Sequence, residues 1–175
     1  MFVYHGPGPG SKVYAFDKRT GKTLWEKPLP EPSPTVRTDG FRGRVPGTVG
    51  SFSSPLVMKV SGREELILSL PEALVALSPE SGSDLWRAEG LNPLIYTSPV
   101  PAGNIVLAMG GFQGSTVAVR AGGSGDVTDT HRLWRDERSR KNRLGSAVVR
   151  DGTIYFVNMD GFFECLDLAT GERLW

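Results

Sequence analysis

The sequence predicts an all-β fold, a β-propeller of four-stranded antiparallel blades. About four blades are expected, as an open arc or as part of a ring of about seven or eight. Three observations predict it. An eleven-residue phrase, Ala15 to Trp25, returns as Ala76 to Trp86 and again as Cys165 to Trp175. Each copy opens on a small residue, has Gly seventh (Gly21, Gly82, Gly171) and closes on Leu-Trp. A longer fourth copy runs from Ala118 to Trp134, so all four tryptophans follow Leu in one context. Finally, the steps between them are 61, 48 and 41 residues, and a period near 40 with several short strands per unit marks a propeller blade.

The phrase has a physical reading. An apolar strand precedes each turn: Val13 to Phe16, Leu74 to Leu77, Thr116 to Val119, Phe163 to Leu166. The turn is rich in Asp, Ser, Thr and Gly, whose side chains bond nearby amides or permit positive φ. A second short strand ends in Leu-Trp, completing a hairpin. The constant spacing in three copies predicts that each indole lies over the small residue of its own phrase, Ala15, Ala76 or Cys165, with Ala118 in the same place under Trp134. Burying such a ring is worth about 2–3 kcal/mol, and truncating it should cost about 3–5 kcal/mol.

Taken in order, the predicted blades occupy roughly 1–25, 53–86, 97–134 and 145–175, with a Pro-rich insert over 28–50. The first has a strand at Met1 to His5, a Gly-Pro loop to Ser11, then the hairpin; its inner strand is missing. The second begins at Ser53-Ser54-Pro55 and the third at Thr97-Ser98-Pro99, because Pro is confined to strand starts and edges. In the third, Ala121 to Asp126 stretches the hairpin. The fourth begins at Gly145-Ser146, turns at Asp151-Gly152 and again at Asp160-Gly161, and is expected to be whole. An arc of this size leaves two raw edges, so the chain is expected to be part of a longer product or to close with further copies of itself.

The alternation Ala-x-Asp-x-x-Thr-Gly-Lys-x-x-Trp resembles the tryptophan-docking motif of the PQQ-like β-propeller repeat family, which includes quinoprotein dehydrogenases and the outer-membrane assembly lipoprotein type. WD40-like repeats share the architecture. The resemblance covers nearly the whole chain, and it implies a periplasmic or cell-envelope location. The sequence itself carries no signal peptide: Met1-Phe2-Val3-Tyr4 lacks a basic start and an apolar core.

Composition excludes more than it assigns. Net charge is +1, so no strongly acidic or basic partner is implied. No apolar run is long enough to span a membrane. The single cysteine, Cys165, rules out an internal disulfide framework and reads as a small core residue. His5 and His131 stand in no metal-ligand spacing. The Gly-rich stretch 6–12 superficially resembles a P-loop, yet a strand follows where a helix must stand. The charge run from Arg132 to Arg143 is interrupted by acids and lacks stacking rings, so it reads as a solvated connector and no nucleic acid is expected.

By resemblance, a quinoprotein dehydrogenase would hold PQQ with Ca²⁺, an Asp base and adjacent cysteines. No Cys-Cys pair and no acidic cage stand in this sequence, so no cofactor, metal or catalytic residue is assigned; PQQ enters through the resemblance alone. Asp17 and Asp167 read as turn residues. The favoured reading is a non-catalytic scaffold with a protein partner and possible self-association through open edges. The alternatives are part of a PQQ-dependent dehydrogenase, and a propeller binding carbohydrate or another small ligand. Candidate surface residues are Arg42 and Arg44 in the insert (with Arg37 of the same status) and Ser53, Tyr96, Thr97 and Arg143 beside the inner strands.

Overall fold

The computed structural model describes residues 1–7, 10–30, 50–111, 114–137 and 143–175. Most of the insert, with Arg37, Arg42 and Arg44, lies outside the described residues, as do Arg138, Arg140 and Lys141 of the charge run. The rest is nearly all β, in a succession of antiparallel sheets that stack as blades.

The first blade is three-stranded: β1 (Phe2–His5), β2 (Lys12–Phe16) and β3 (Thr23–Pro28). A short strand, β4 (Gly50–Ser51), leads into the second blade: β5 (Leu56–Val60), β6 (Arg63–Leu70), β7 (Ala73–Leu77) and β8 (Asp84–Glu89). Another, β9 (Leu94–Ile95), leads to β10 (Val100–Ala102), β11 (Ile105–Met109) and β12 (Thr116–Arg120) of the third. Then come β13 (Gly125–Asp126), the four-residue helix α1 (Thr128–His131) and β14 (Arg132–Asp136), which closes the third blade. The fourth holds β15 (Val148–Arg150), β16 (Thr153–Val157) and β17 (Phe163–Asp167). The turns Ser61-Gly62 and Asp151-Gly152 have φ of 48° and 89°, and 50° and 75°, positive at both central positions as a tight two-residue hairpin requires.

The end of the fourth blade returns antiparallel along β17: Arg173 bridges Leu166, and Cys165 bonds Leu174 and Trp175 through the backbone. One feature differs from expectation. The stretch from Ala121 to Asp126 does more than lengthen a hairpin. Its end, β13, pairs in parallel with β8, Gly125 opposite Trp86, so the third blade lends the second a fifth strand.

Burial follows from stacking. In a strand successive side chains point to opposite faces. In β6, Leu66, Leu68 and Leu70 pack with Val13 towards the first blade, while Ile67 packs with Val106, Val117 and Val119 towards the third. In β11, Val106 and Ala108 join that second cluster; Leu107 and Met109 pack with Ile154 and Phe156 of the fourth blade. These strands are covered on both sides and read as unbroken apolar runs. In β2 and β16 burial alternates instead.

Candidate functional site

The inner ends of three blades run side by side. Gly50 and Ser51 pair in parallel with Leu94 and Ile95. Ser54 N–H donates to Ser98 Oγ at 2.9 Å, and Ser98 N–H to Ser146 Oγ at 3.1 Å. Pro55 and Pro99 follow two of these serines, and having no N–H they leave no donor unpaired there. The result is a hydrogen-bonded rim linking the second, third and fourth blades.

Ser53 and Thr97, named from sequence as surface candidates, are buried in this rim. Ser53 Oγ–H donates to the Ser69 carbonyl at 3.0 Å and Thr97 Oγ1–H to that of Met109. Each ties a lead to the second strand of its blade, so their polar atoms do not face a partner. Two positions before each ladder serine stand Phe52, Tyr96 and Leu144. Phe52 is 54% exposed and Leu144 39%. Tyr96 is half-buried and stacks on Phe52, centroids 5.3 Å apart and planes within 5°. Gly111 backs the Tyr96 ring so closely that a Cβ there would sit 2.6 Å from Cδ2. The rim thus carries a supported aromatic step that opens to solvent at Phe52, a residue sequence reasoning passed over although it shares the register of Tyr96.

Arg143, expected on an exposed connector, is 1% exposed. Its Nη1 donates to Thr116 Oγ1 at 2.5 Å, its guanidinium lies 4.3 Å over the Phe156 ring, and Nη2 faces Asp136 and Glu164 at 3.6 and 3.9 Å. Burial pushes its pKa down against the upward pull of Asp136 and Glu164. It fastens the third blade to the fourth. Asn158 also donates to Glu164.

The repeated turns are closely alike. Asp17 N–H donates to Lys22 O at 2.8 Å and Gly21 N–H to Asp17 O at 2.9 Å; the pairs at Ser78 and Asp167 match within 0.1 Å. Gly21, Gly82 and Gly171 have φ of 72°, 74° and 72°. Asp17 and Asp167 each accept two backbone amides and a Thr hydroxyl. The Thr20 and Thr170 backbone amides lead the causes that hold these carboxyls below the usual range.

Two of the indoles, however, reach past their own sheets. Ala15, Ala76 and Ala118 do stand opposite Trp25, Trp86 and Trp134 in the ladders. But Trp25 Nε1–H donates to Pro79 O at 3.0 Å, and its ring covers Gly82, where a Cβ would be 2.9 Å away. Trp134 Nε1–H donates to Leu168 O at 2.8 Å and covers Gly171 at 2.6 Å. Each rests on the turn of the next blade. Trp86 meets a third blade without that turn. It is 1% exposed and donates to Glu65 Oε2 at 2.7 Å. The Glu65 carboxylate is held in turn by Arg63. Trp175 is 57% exposed and touches Phe163, while Cys165 is buried.

A cleft of about 930 Å³ opens between the first two blades, lined by Lys27, Leu29, Leu70, Val75, Trp86 and Asp126 among others. Among the described residues no three His, Cys, Asp or Glu side chains come together as a metal site, and no helix is long and apolar enough to cross a membrane.

Residues 44–175 match the family described as outer membrane protein assembly factor BamB. No curated protein matches the sequence. Among solved structures, BamB from Moraxella catarrhalis aligns with a TM-score of 0.65 and 17% identity over 99% of this chain and 44% of that one. Quinohemoprotein alcohol dehydrogenase from Comamonas testosteroni aligns at 0.60 and 19% over 99% and 33%. A europium-containing methanol dehydrogenase aligns at 0.64 and 12% over 99% and 39%. The chain spans less than half the length of each. At such identities the likeness establishes the propeller fold, which hosts both assembly factors and enzymes and does not choose between them.

Proposed function

We propose a scaffold role from the premise that the chain belongs to the outer membrane protein assembly factor BamB family: a non-catalytic propeller arc that presents its rim and connectors to a protein partner in the cell envelope. The observation that carries this reading is the Phe52–Tyr96 step. Exposed aromatic surface on a rigid frame is the composition of an interface core, and the frame here is fixed by the serine ladder. Phe52→Asp should leave thermal stability nearly unchanged, because the ring is more than half exposed. It should remove the envelope proteins that cross-link to the wild-type chain in cells. An unchanged cross-linking pattern overturns the reading.

The described residues do not fit PQQ with its calcium ion. Asp17 and Asp167 spend one carboxylate oxygen on their own turns, no acidic cluster is formed, and the single cysteine has no adjacent partner. Adding PQQ and Ca²⁺ should leave the melting temperature unmoved; a saturable rise would place the chain with the dehydrogenases, since a ligand of the native state must stabilise it. The cleft of about 930 Å³ favours small-ligand binding as a second reading, its size being that of ordinary ligand sites. Saturable stabilisation by an oligosaccharide, lost on Leu29→Glu, would establish it.

A further inference from the structure

The seam between the second and third blades is closed differently from its neighbours. Trp25 and Trp134 each rest on a turn of the following blade. Trp86 instead donates to Glu65 Oε2 inside its own blade, and Glu65 Oε1 accepts from Arg63. Arg63 Nη2 also donates to Gly123 O at 3.2 Å. Gly123 belongs to the excursion between β12 and β14, which crosses to the outer edge of the second blade. There Gly125 and Asp126 stand opposite Trp86 and Arg87. Val127 N–H donates to Arg87 O at 2.8 Å, and Glu89 N–H donates to Thr128 Oγ1 at 2.9 Å.

The excursion adds nothing to the sheet it leaves. β12 pairs directly with β14, Ala118 opposite Trp134 and Val119 opposite Arg132, so the third blade is complete without it. The second blade likewise has four strands of its own, β5 to β8. The crossing segment is held down by a two-residue parallel pairing of poor strand formers, by the bonds just named, and by Val127. Of residues 122–131, Val127 alone is buried, in the core between these two blades. Packing fixes the path: Gly123 has φ of 85°, and a Cβ on it would lie 2.9 Å from the His131 ring and 3.0 Å from Val127. An edge position with little buried apolar surface marks a segment that opens by itself.

We propose that residues 122–131 are a clasp that opens and closes as a unit on folded blades. Closed, it covers the outer edge of β8 and is tied through Gly123, Arg63 and Glu65 to the Trp86 indole. Open, it frees Arg87 O and Glu89 N–H and empties the Val127 socket, while both blades keep their ladders. The clasp stands where a docked indole would, because the third blade lacks the turn that receives the indoles of its neighbours. A seam closed by ring packing parts only when a blade moves. One closed by an excursion is unfastened at its outer edge alone.

Native-state hydrogen exchange of the 175-residue chain, read by NMR at low denaturant concentrations, tests this. The Val127 and Glu89 amides, whose bonds cross the clasp, should exchange at least about tenfold faster than those of the β6–β7 and β11–β12 ladders. Denaturant should leave the two rates unchanged, since little surface is exposed on opening. Gly123→Ala sets a Cβ against His131 and Val127; it should quicken the two amides about tenfold further, as overpacking does, with the ladders unmoved. Gly125→Ala is the control: its φ is also positive, at 69°, but nothing lies within 4 Å, so it should quicken them less. The proposal is overturned if the Val127 and Glu89 amides exchange only together with the ladders, if denaturant speeds both sets equally, or if Gly123→Ala acts no more strongly than Gly125→Ala.

Discussion

Inter-blade docking predicts that three glycines in one backbone conformation respond differently to the same substitution. Gly21→Ala, Gly82→Ala and Gly171→Ala each place a Cβ at φ near 73°, which costs about 1–2 kcal/mol for an L-residue. At Gly21 the Cβ meets open space, so in dilute solution that strain is the whole cost. At Gly82 and Gly171 it would stand at 2.9 and 2.6 Å from an indole carbon. The ring must withdraw, losing the hydrogen bond from Trp25 to Pro79 or from Trp134 to Leu168. That bond is worth about 1 kcal/mol, and partial exposure of the ring adds about 1–2 kcal/mol. The interior variants should thus be about 2–3 kcal/mol less stable than Gly21→Ala. For a chain of this size that is a further fall in melting temperature of about 4–12 °C. In a Trp25→Ala background the extra cost of Gly82→Ala should vanish, leaving the strain alone, as a double-mutant cycle would read. Equal destabilisation at all three glycines, or additive effects of Trp25→Ala and Gly82→Ala, would refute the docking argument.

Other outcomes follow from the same contacts. Trp86→Phe removes the Nε1–H donor from buried Glu65 and should cost about 2–3 kcal/mol in denaturant unfolding, as expected for a hydrogen bond to a charged group. Arg143→Met withdraws the buried cation facing Asp136 and Glu164 and should cost about 3–5 kcal/mol at neutral pH, read by denaturant unfolding. Asp17 and Asp167, held below the usual carboxylate range, contribute stability that is complete above an unfolded pKa of about 3.9. That contribution is lost as pH falls through the lower folded value. Replacing both with Asn should flatten the acid limb of stability against pH, which thermal melts between neutral pH and strong acid would show.

What the sequence made legible was whatever repeats within one blade. The distance from Ala15 to Trp25 is the same as from Ala76 to Trp86, and each pair does stand opposite in its ladder. The direction in which the ring points is not a within-blade quantity. Spacing counts residues along the chain, and Pro79 is 54 positions from Trp25. The seventh-place glycine held the missing clue, because a position that cannot carry a Cβ marks a close approach as well as a turn. Arg143 was misread because a charged run bordered by loops resembles a solvated connector, and nothing local signals that Thr116, Phe156 and Glu164 converge on it. Likewise β13 is invisible to strand propensity: Gly125 and Asp126 are poor strand formers, and an outside edge at Trp86 recruits them. Of the surface candidates, Tyr96 stands in an exposed step, while Ser53, Thr97 and Arg143 went into fastening the blades.

The one-way orientation of the indoles also bears on how the chain emerges from a ribosome. Trp25 leaves the tunnel 54 residues before Pro79, which accepts its hydrogen bond, and Trp134 leaves 34 before Leu168. At about 5–20 residues per second the first ring waits roughly 3–11 seconds for its seat. The second blade thus shelters the indole of the first, and the fourth that of the third. A nascent arc growing in this way carries its stickiest surface at the leading edge of synthesis, where a chaperone waiting at the exit would meet it.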